Sequence, residues 1–435
     1  MYIAMAIVFV LGFAAIIFEH KIHINKAASA LFTAVVCWVL FVLGEHSILP
    51  ESVGLITGGI ESDLMHHLGE IGGILFFLLG AMTIVELIDA HSGFSLITQK
   101  ITTTKKSKLL VTLAIITFFM SAALDNLTTS IIMAALLRKL IHEKNDLWIF
   151  SGIVIIAANA GGAWSPIGDV TTIMLWVGGQ VTAANIVLKL LLPSMVCLAV
   201  PLTIVAMRMK GNLAVAPESG KNSEHAQIEL REQKLVLFMG LGALLFVPIF
   251  KTTTHLPPFL GMLFGLSILW GVTEFLHKRK VESTRKQLSI SAVLEKVDTP
   301  SILFFLGILL AVAALQSAGH LTQLAQFQDT HIGNVWAINV IVGFLSSIID
   351  NVPLVAGSIG MYDLSAYPQD NVFWELLAYC AGTGGSCLII GSAAGVAIMG
   401  ILKIDFIWYL KKITPLAIIG YLSGVATFWL INLIF

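Results

Sequence analysis

The stretch SAALDNLTTS, residues 121–130, sets Asp125 and Asn126 inside an otherwise apolar run. A carboxylate at membrane depth is costly unless it finds partners, so it marks a functional site by default. The chain repeats the arrangement. SSIIDNVP, residues 346–353, places Asp350 and Asn351 in a second apolar stretch. Each pair is followed by a glycine-broken hydrophobic segment, GGAWSPIGDVTT from Gly161 and GGSCLIIGSAAG from Gly384. Four interruptions of this kind are expected to meet in the membrane and form one ion site.

Composition fixes the setting. Of 435 residues, 57% are hydrophobic and only 12% charged, about half the charged fraction of a soluble domain, and the mean hydropathy is +0.91. The sequence is therefore that of an all-α polytopic membrane protein. A net charge of -1 gives no sign of a nucleic-acid partner. Cys37, Cys197, Cys380 and Cys387 lie in apolar segments without metal-ligand spacing, which predicts packing residues rather than disulfides or a zinc site. The start of the chain lacks a basic region and a small-residue cleavage site, so residues 2–18 are expected to be a retained first span.

Spans long enough to cross are predicted at 2–18, 27–44, 69–90, 147–177, 183–207, 234–250, 257–277, 299–316, 373–402 and 413–434. The segments 108–141 and 333–361 carry the Asp-Asn pairs near their middles. Lys105, Lys106 and Lys108 precede the first and Arg138, Lys139 and Lys144 follow it. Because basic residues concentrate on the cytoplasmic side, both ends belong there. The segment then enters and returns as a re-entrant helical hairpin, with its tip buried in protein or facing a wet cavity. The second is flanked by 317–332 and 362–372, which contain no Lys or Arg, so its ends should face outside. This threading puts both termini outside and all but Lys189 and Lys251 of the 25 basic residues at the cytoplasmic side. Lys189 is near enough to its helix end to snorkel. The alternative, with each Asp-Asn segment crossing once, leaves basic clusters outside.

Three anchors repeat in order. ILFFL at Ile74 recurs at Ile302, Asp125-Asn126 at Asp350-Asn351, and Gly161-Gly162 at Gly384-Gly385, at offsets of 228, 225 and 223. The expected organisation is a first repeat over 1–210, a cytoplasmic linker over 211–233 and a second repeat over 234–435. Each unit has an odd number of crossings, so the second is inverted. Inverted repeats with broken helices and a midplane site are the architecture of secondary transporters.

The span 147–177 would be about 46 Å long as one helix, more than the hydrocarbon core needs. Gly161 and Gly162 loosen it, Ser165 is expected to cap the second half-helix and Pro166 to sit in its first turn. The carbonyls freed there, with Asn159, Asp169, Thr171 and Thr172, are hard oxygen ligands suited to Na⁺. The second break carries Ser386 and Ser392 but no acid, so the site should be asymmetric. Thr128 and Thr129 follow the first tip, and Glu86 either belongs to an access path or pairs with a basic loop. Asp125, Asp169 and Asp350 can each hold a cation when ionised or a proton when neutral. Competition between the two is a minimal exchange mechanism. The histidines, among them His20, His46, His91 and His277, are expected to be solvated residues at span ends.

The combination of LDNLTTS at Leu124, ANAGGAWSPIGDVTT at Ala158 and IDNVPLVAG at Ile349 resembles the NhaD-type sodium/proton antiporters, within the larger ion transporter superfamily that also holds carboxylate and arsenite carriers. The resemblance covers essentially the whole chain. It implies exchange of Na⁺ or Li⁺ for H⁺ across a bacterial inner membrane, without a cofactor, by Asp125, Asn126, Asn159, Asp169, Thr171, Thr172, Asp350 and Asn351. A homodimer is allowed but not required. Carboxylate carriers of that superfamily have Ser-Asn-Thr at their tips; two Asp residues there would repel an anion. Two alternatives remain. One is a sodium-coupled carboxylate or oxyanion carrier of the same fold. The other is an intramembrane aspartyl protease, whose Gly-x-Gly-Asp motif is absent before Asp169.

Overall fold

The computed structural model describes residues 1–44, 59–98, 103, 105–213, 228–278 and 280–434. The principal helices are α1 (Tyr2–Ile17), α2 (Lys26–Leu43), α3 (Gly59–Ala90), α4 (Lys106–Leu124), α5 (Asn126–Leu140), α6 (Lys144–Ala163), α7 (Val170–Val177), α8 (Ala183–Arg208), α9 (Leu230–Thr254), α10 (Pro258–His277), α11 (Thr299–Ser317), α12 (His320–His331), α13 (Val335–Leu345), α14 (Asn351–Met361), α15 (Val372–Gly384), α16 (Ala393–Leu402), α17 (Phe406–Lys412) and α18 (Thr414–Ile434). No strand occurs among the described residues. Nine of these helices are long and apolar enough to cross a membrane, or ten if α16 and α17 count as one bent span.

The expected spans change in three places. Helix α1 has only 16 residues, because the chain turns at Phe18, and it falls short of a full crossing by length. The break expected in 373–402 is present, α15 ending at Gly384 and α16 beginning at Ala393, but beyond it the chain bends again, α17 leaving α16 at 120°. Conversely α4 alone, at 19 residues, is long enough to cross. Of the expected linker over 211–233, residues 230–233 form the first turn of α9, and residues 214–227 lie outside the described residues.

Each Asp-Asn segment breaks at the acid. Asp125 closes α4 and caps α5, and Asp350 caps α14. The ends of each segment lie close together. Lys106 at the start of α4 pairs with Asp146 in the first turn of α6 and lies 3.5 Å from Glu143, three residues beyond the end of α5. In the second segment the Tyr362 hydroxyl, just past α14, donates to Asp329 at 2.9 Å, shortly before α13 begins.

The breaks in the glycine segments also follow from local chemistry. Helix α6 ends at Trp164 after Gly161 and Gly162, and Pro166, which lacks an N–H and obstructs the preceding turn, bars its continuation. The chain is extended at Asp169 (φ -148°, ψ 148°), whose side chain accepts from the Thr171 N–H and starts α7. Ser392 (φ -144°, ψ 152°) does the same for α16, accepting from the Gly395 N–H. The expected cap at Ser165 is therefore corrected. Its hydroxyl donates to the Ala122 carbonyl at 2.6 Å, tying the break to the end of α4, and Pro166 lies in the break rather than in the first turn.

Packing repeats at matched positions. A Cβ on Gly161 would overlap the Phe118 carbonyl of α4, and one on Gly384 the Gly343 carbonyl of α13. Ser121 donates to the Ala158 carbonyl at 2.5 Å and Ser346 to that of Ala381 at 2.8 Å. These hydroxyls and glycines bring helix backbones together where apolar packing alone has little driving force against lipid. The second half of each broken helix packs on the returning arm of the other Asp-Asn segment, α16 on α5 and α7 on α14. Helix α2 packs on α11, and α10 on α3.

Lys251, one of the two basic residues that fit no cytoplasmic loop, donates to the Trp176 carbonyl at 2.6 Å and lies 4.9 Å from that ring's centroid. It thus meets the negative C-terminal end of α7.

Candidate functional site

The tips and breaks converge on Asp169. Its carboxylate accepts from the Asn126 amide at 2.6 Å and from the Asn351 amide at 3.3 Å to each oxygen. Thr171 adds its N–H at 3.0 Å and its hydroxyl at 2.9 Å. Three elements, α5, α14 and α7, therefore meet at one carboxyl group that is 2% exposed. Asn159, fully buried on α6, links the second break to this cluster. Its amide nitrogen donates to Ser386 and Ser392, both at 2.9 Å, and its oxygen accepts from Asn126 at 3.3 Å.

Asp125, Asn126, Asp169, Asp350 and Asn351 line one cavity of about 60 Å³. That is room for a few water molecules, hence for a small ion with part of its hydration. The remaining wall is mostly apolar, including Leu78, Met82, Ile173, Leu244 and Met262. A charge in such a setting is stabilised only by the few polar groups that face it.

Asp125 is held by Thr128, through the N–H at 2.7 Å and the hydroxyl at 2.9 Å. Its backbone has φ 91°, a region sparsely populated by side-chain-bearing residues and costing about 1–3 kcal/mol. Asp350 has an ordinary φ of -49°. The two tips are thus chemically alike and conformationally different.

Several residues named from the sequence stand behind the site rather than on it. The Thr171 hydroxyl is spent on Asp169, and Thr172 donates to the Asp169 carbonyl at 2.8 Å. Ser386 and Ser392 reach the cavity only through Asn159, the buried Thr129 hydroxyl makes no hydrogen bond, and Ser165 secures the break. Glu86 does not line the cavity; the charges near it are Asp89 and Lys296.

The histidine expectation is also corrected. His91 and His277 are buried and face each other. His46 lies outside the described residues. All four cysteines are buried free thiols.

Sequence reasoning missed Lys26. Its ammonium lines the cavity 3.5 Å from Asp350 and 4.4 Å from the centroid of the Phe304 ring. One local signal existed. Asn25 caps α2 by accepting from the Ala27 N–H at 2.8 Å, which makes Lys26 the first helical residue. A cation at the positive end of a helix is unfavourable unless a carboxylate faces it.

Comparison with known proteins gives the family. The CitMHS family, described as citrate transporter, matches residues 13–379. The chain is 47% identical to sodium/proton antiporter 1 of Arabidopsis thaliana, over 98% of this chain and 72% of that protein. It is 44% identical to sodium/proton antiporter 2 of the same plant, over 98% of each. Identity to the Na⁺/H⁺ antiporter NhaD of Vibrio cholerae is 30%, over 99% of this chain and 91% of the relative. The chain is a multi-pass membrane protein that belongs to the CitMHS family, and within it to the NhaD-type sodium/proton antiporters.

Proposed function

We propose that the protein exchanges Na⁺ or Li⁺ for H⁺, with cation and proton competing for Asp125, Asp169 and Asp350. The observation that carries this reading is the convergence of three carboxylates on one cavity of about 60 Å³. An ionised carboxylate offers a hard oxygen to an alkali cation, and a neutral one holds the proton that replaces it. Asn126, Asn159 and Asn351 orient the carboxyl groups and offer amide oxygens, and the Asp125 and Asp350 caps keep acids at the two tips. Lys26 is a tethered cation that occupies Asp350 when no ion does. The relatives, sodium/proton antiporters in a plant and in a bacterium, support the same exchange. A carboxylate substrate, suggested by the family's description, is disfavoured by like charge at three positions and by the size of the cavity.

The proposed threading has two inverted repeats, over 1–210 and 234–435, each with a re-entrant hairpin. The basic loops then face the cytoplasm and both termini face outside. The paired ends of the Asp-Asn segments and the reciprocal packing of α16 on α5 and α7 on α14 support it.

The test is dissipation of a preformed pH gradient in inside-out vesicles on adding Na⁺, Li⁺, K⁺ or citrate, with Asp350→Asn as control. Collapse by Na⁺ or Li⁺ alone, lost in the variant, is the expected result. If no cation acts alone and Na⁺ instead drives uptake of labelled citrate, the antiport assignment fails.

A further inference from the structure

A second constellation of ligating side chains lies apart from the ion cavity. His91 follows α3, Glu232 sits in the first turn of α9, and His277 ends α10. None lines the ion cavity. Their exposures are 0%, 8% and 1%. The two imidazole Nε2 atoms are 2.9 Å apart, and the Glu232 Oε1 lies 3.7 Å from one and 3.8 Å from the other. A point about 2.0 Å from all three atoms lies at the centre of that triangle, the bond length of Zn²⁺ to imidazole nitrogen and carboxylate oxygen.

The surroundings match a metal ligand set. His91 donates from Nδ1 to the Leu87 carbonyl at 2.7 Å, which leaves its Nε2 lone pair facing the cluster. A backbone partner on the far ring nitrogen is what orients a ligating histidine. Lys280 holds Glu232 through both oxygens, at 2.7 and 2.6 Å, and so fixes the carboxylate's orientation. The rings lie nearly coplanar, with centroids 5.1 Å apart and planes at 8°, joined by one proton between the Nε2 atoms. A metal ion would replace that proton. A pivot of each ring turns both lone pairs toward Oε1, while Oε2 stays with Lys280.

We infer that His91, His277 and Glu232 form a site for a divalent transition metal of the Zn²⁺ class. It is a His₂-carboxylate set of three protein ligands, the number that a zinc site with one further position uses. The ion would staple the end of α3, the start of α9 and the end of α10, three helices that pack on one another. The site is independent of the exchange reading, because it shares no residue with the ion cavity.

The test uses the full chain, purified in detergent, stripped with a chelator and titrated with Co²⁺. The intact protein should develop the intense visible bands of low-coordinate Co²⁺, saturating at one ion per chain and bleached by Zn²⁺. His277→Gln and Glu232→Gln should each weaken the binding at least about tenfold, with monodispersity on gel filtration reporting that they fold. His66→Gln and His67→Gln, in the separate acidic and imidazole group with Asp63 and Glu70 near the start of α3, should leave it unchanged. Absence of the bands in the intact protein overturns the proposal whatever the variants do. So does an undiminished titration in His277→Gln and Glu232→Gln, or loss of the bands in the His66 or His67 variant.

Discussion

Removing the ammonium of Lys26 should make the protein bind Na⁺ more tightly. In the cavity that ammonium faces Asp350 at 3.5 Å. Two unit charges at this distance attract by about 5 kcal/mol at an effective dielectric of about 20. The side chains are 31% and 21% exposed, and desolvation and solvent screening offset most of that attraction. A net value of about 1–2 kcal/mol fits a pair intermediate between surface and core. A Na⁺ ion arriving at Asp350 must displace the ammonium and forgo this amount. In Lys26→Gln the competitor is absent, so the half-saturating Na⁺ concentration should fall about 5- to 30-fold. Lys26→Arg, which keeps the charge, should stay near the parent value. The assay is the Na⁺ dependence of pH-gradient dissipation in inside-out vesicles, with membrane abundance measured alongside. An equally abundant Lys26→Gln protein with an unchanged or higher half-saturating concentration would refute the competition.

Asp169→Asn should abolish exchange and also lower thermal stability in detergent, because the new amide sets a donor against the Asn126 or Asn351 donor at a cost of about 1–3 kcal/mol. Exchange at the parent rate in this variant would remove Asp169 from the site. Gly161→Ala and Gly384→Ala should each lose about 1–3 kcal/mol through overlap with a helix backbone. Gly72→Ala and Gly242→Ala, where a Cβ meets open space, should lose nothing; equal melting temperatures across all four would contradict the close contacts. Ser165→Ala should cost about 1–2 kcal/mol by orphaning the Ala122 carbonyl, while the half-saturating Na⁺ concentration stays put. A shift in that concentration would show that Ser165 touches the ion.

What could be read from the sequence was what local chemistry decides. Asp125 and Asp350 announce themselves because an acid in an apolar run has few explanations, and Gly161, Gly162 and Pro166 break a helix wherever they occur together. Asp169 followed from its place in that break. The cap on α7 was misassigned to Ser165 because two residues with capping side chains lie four apart, and only the path of the chain decides between them. Lys26 and Asp350 are 324 residues apart, and His91 and His277 are 186 apart. No periodicity or spacing connects such pairs. Lys251 looked like an exception to the charge rule until its partner, a helix-end carbonyl, was in view.

The ionic make-up of the cavity bears on energetics beyond affinity. Three carboxylates line it, and Lys26 is the one cation among its described lining residues, so the ion-free site is two unit charges short of neutrality when every acid is ionised. One Na⁺ leaves it one short, while two protons neutralise it. A cycle that carries one Na⁺ in one direction and two protons in the other passes between states of unequal charge. Such a cycle is electrogenic, and a potassium diffusion potential imposed with valinomycin should speed or slow it according to sign, at about 2.3 kcal/mol per elementary charge for each 100 mV.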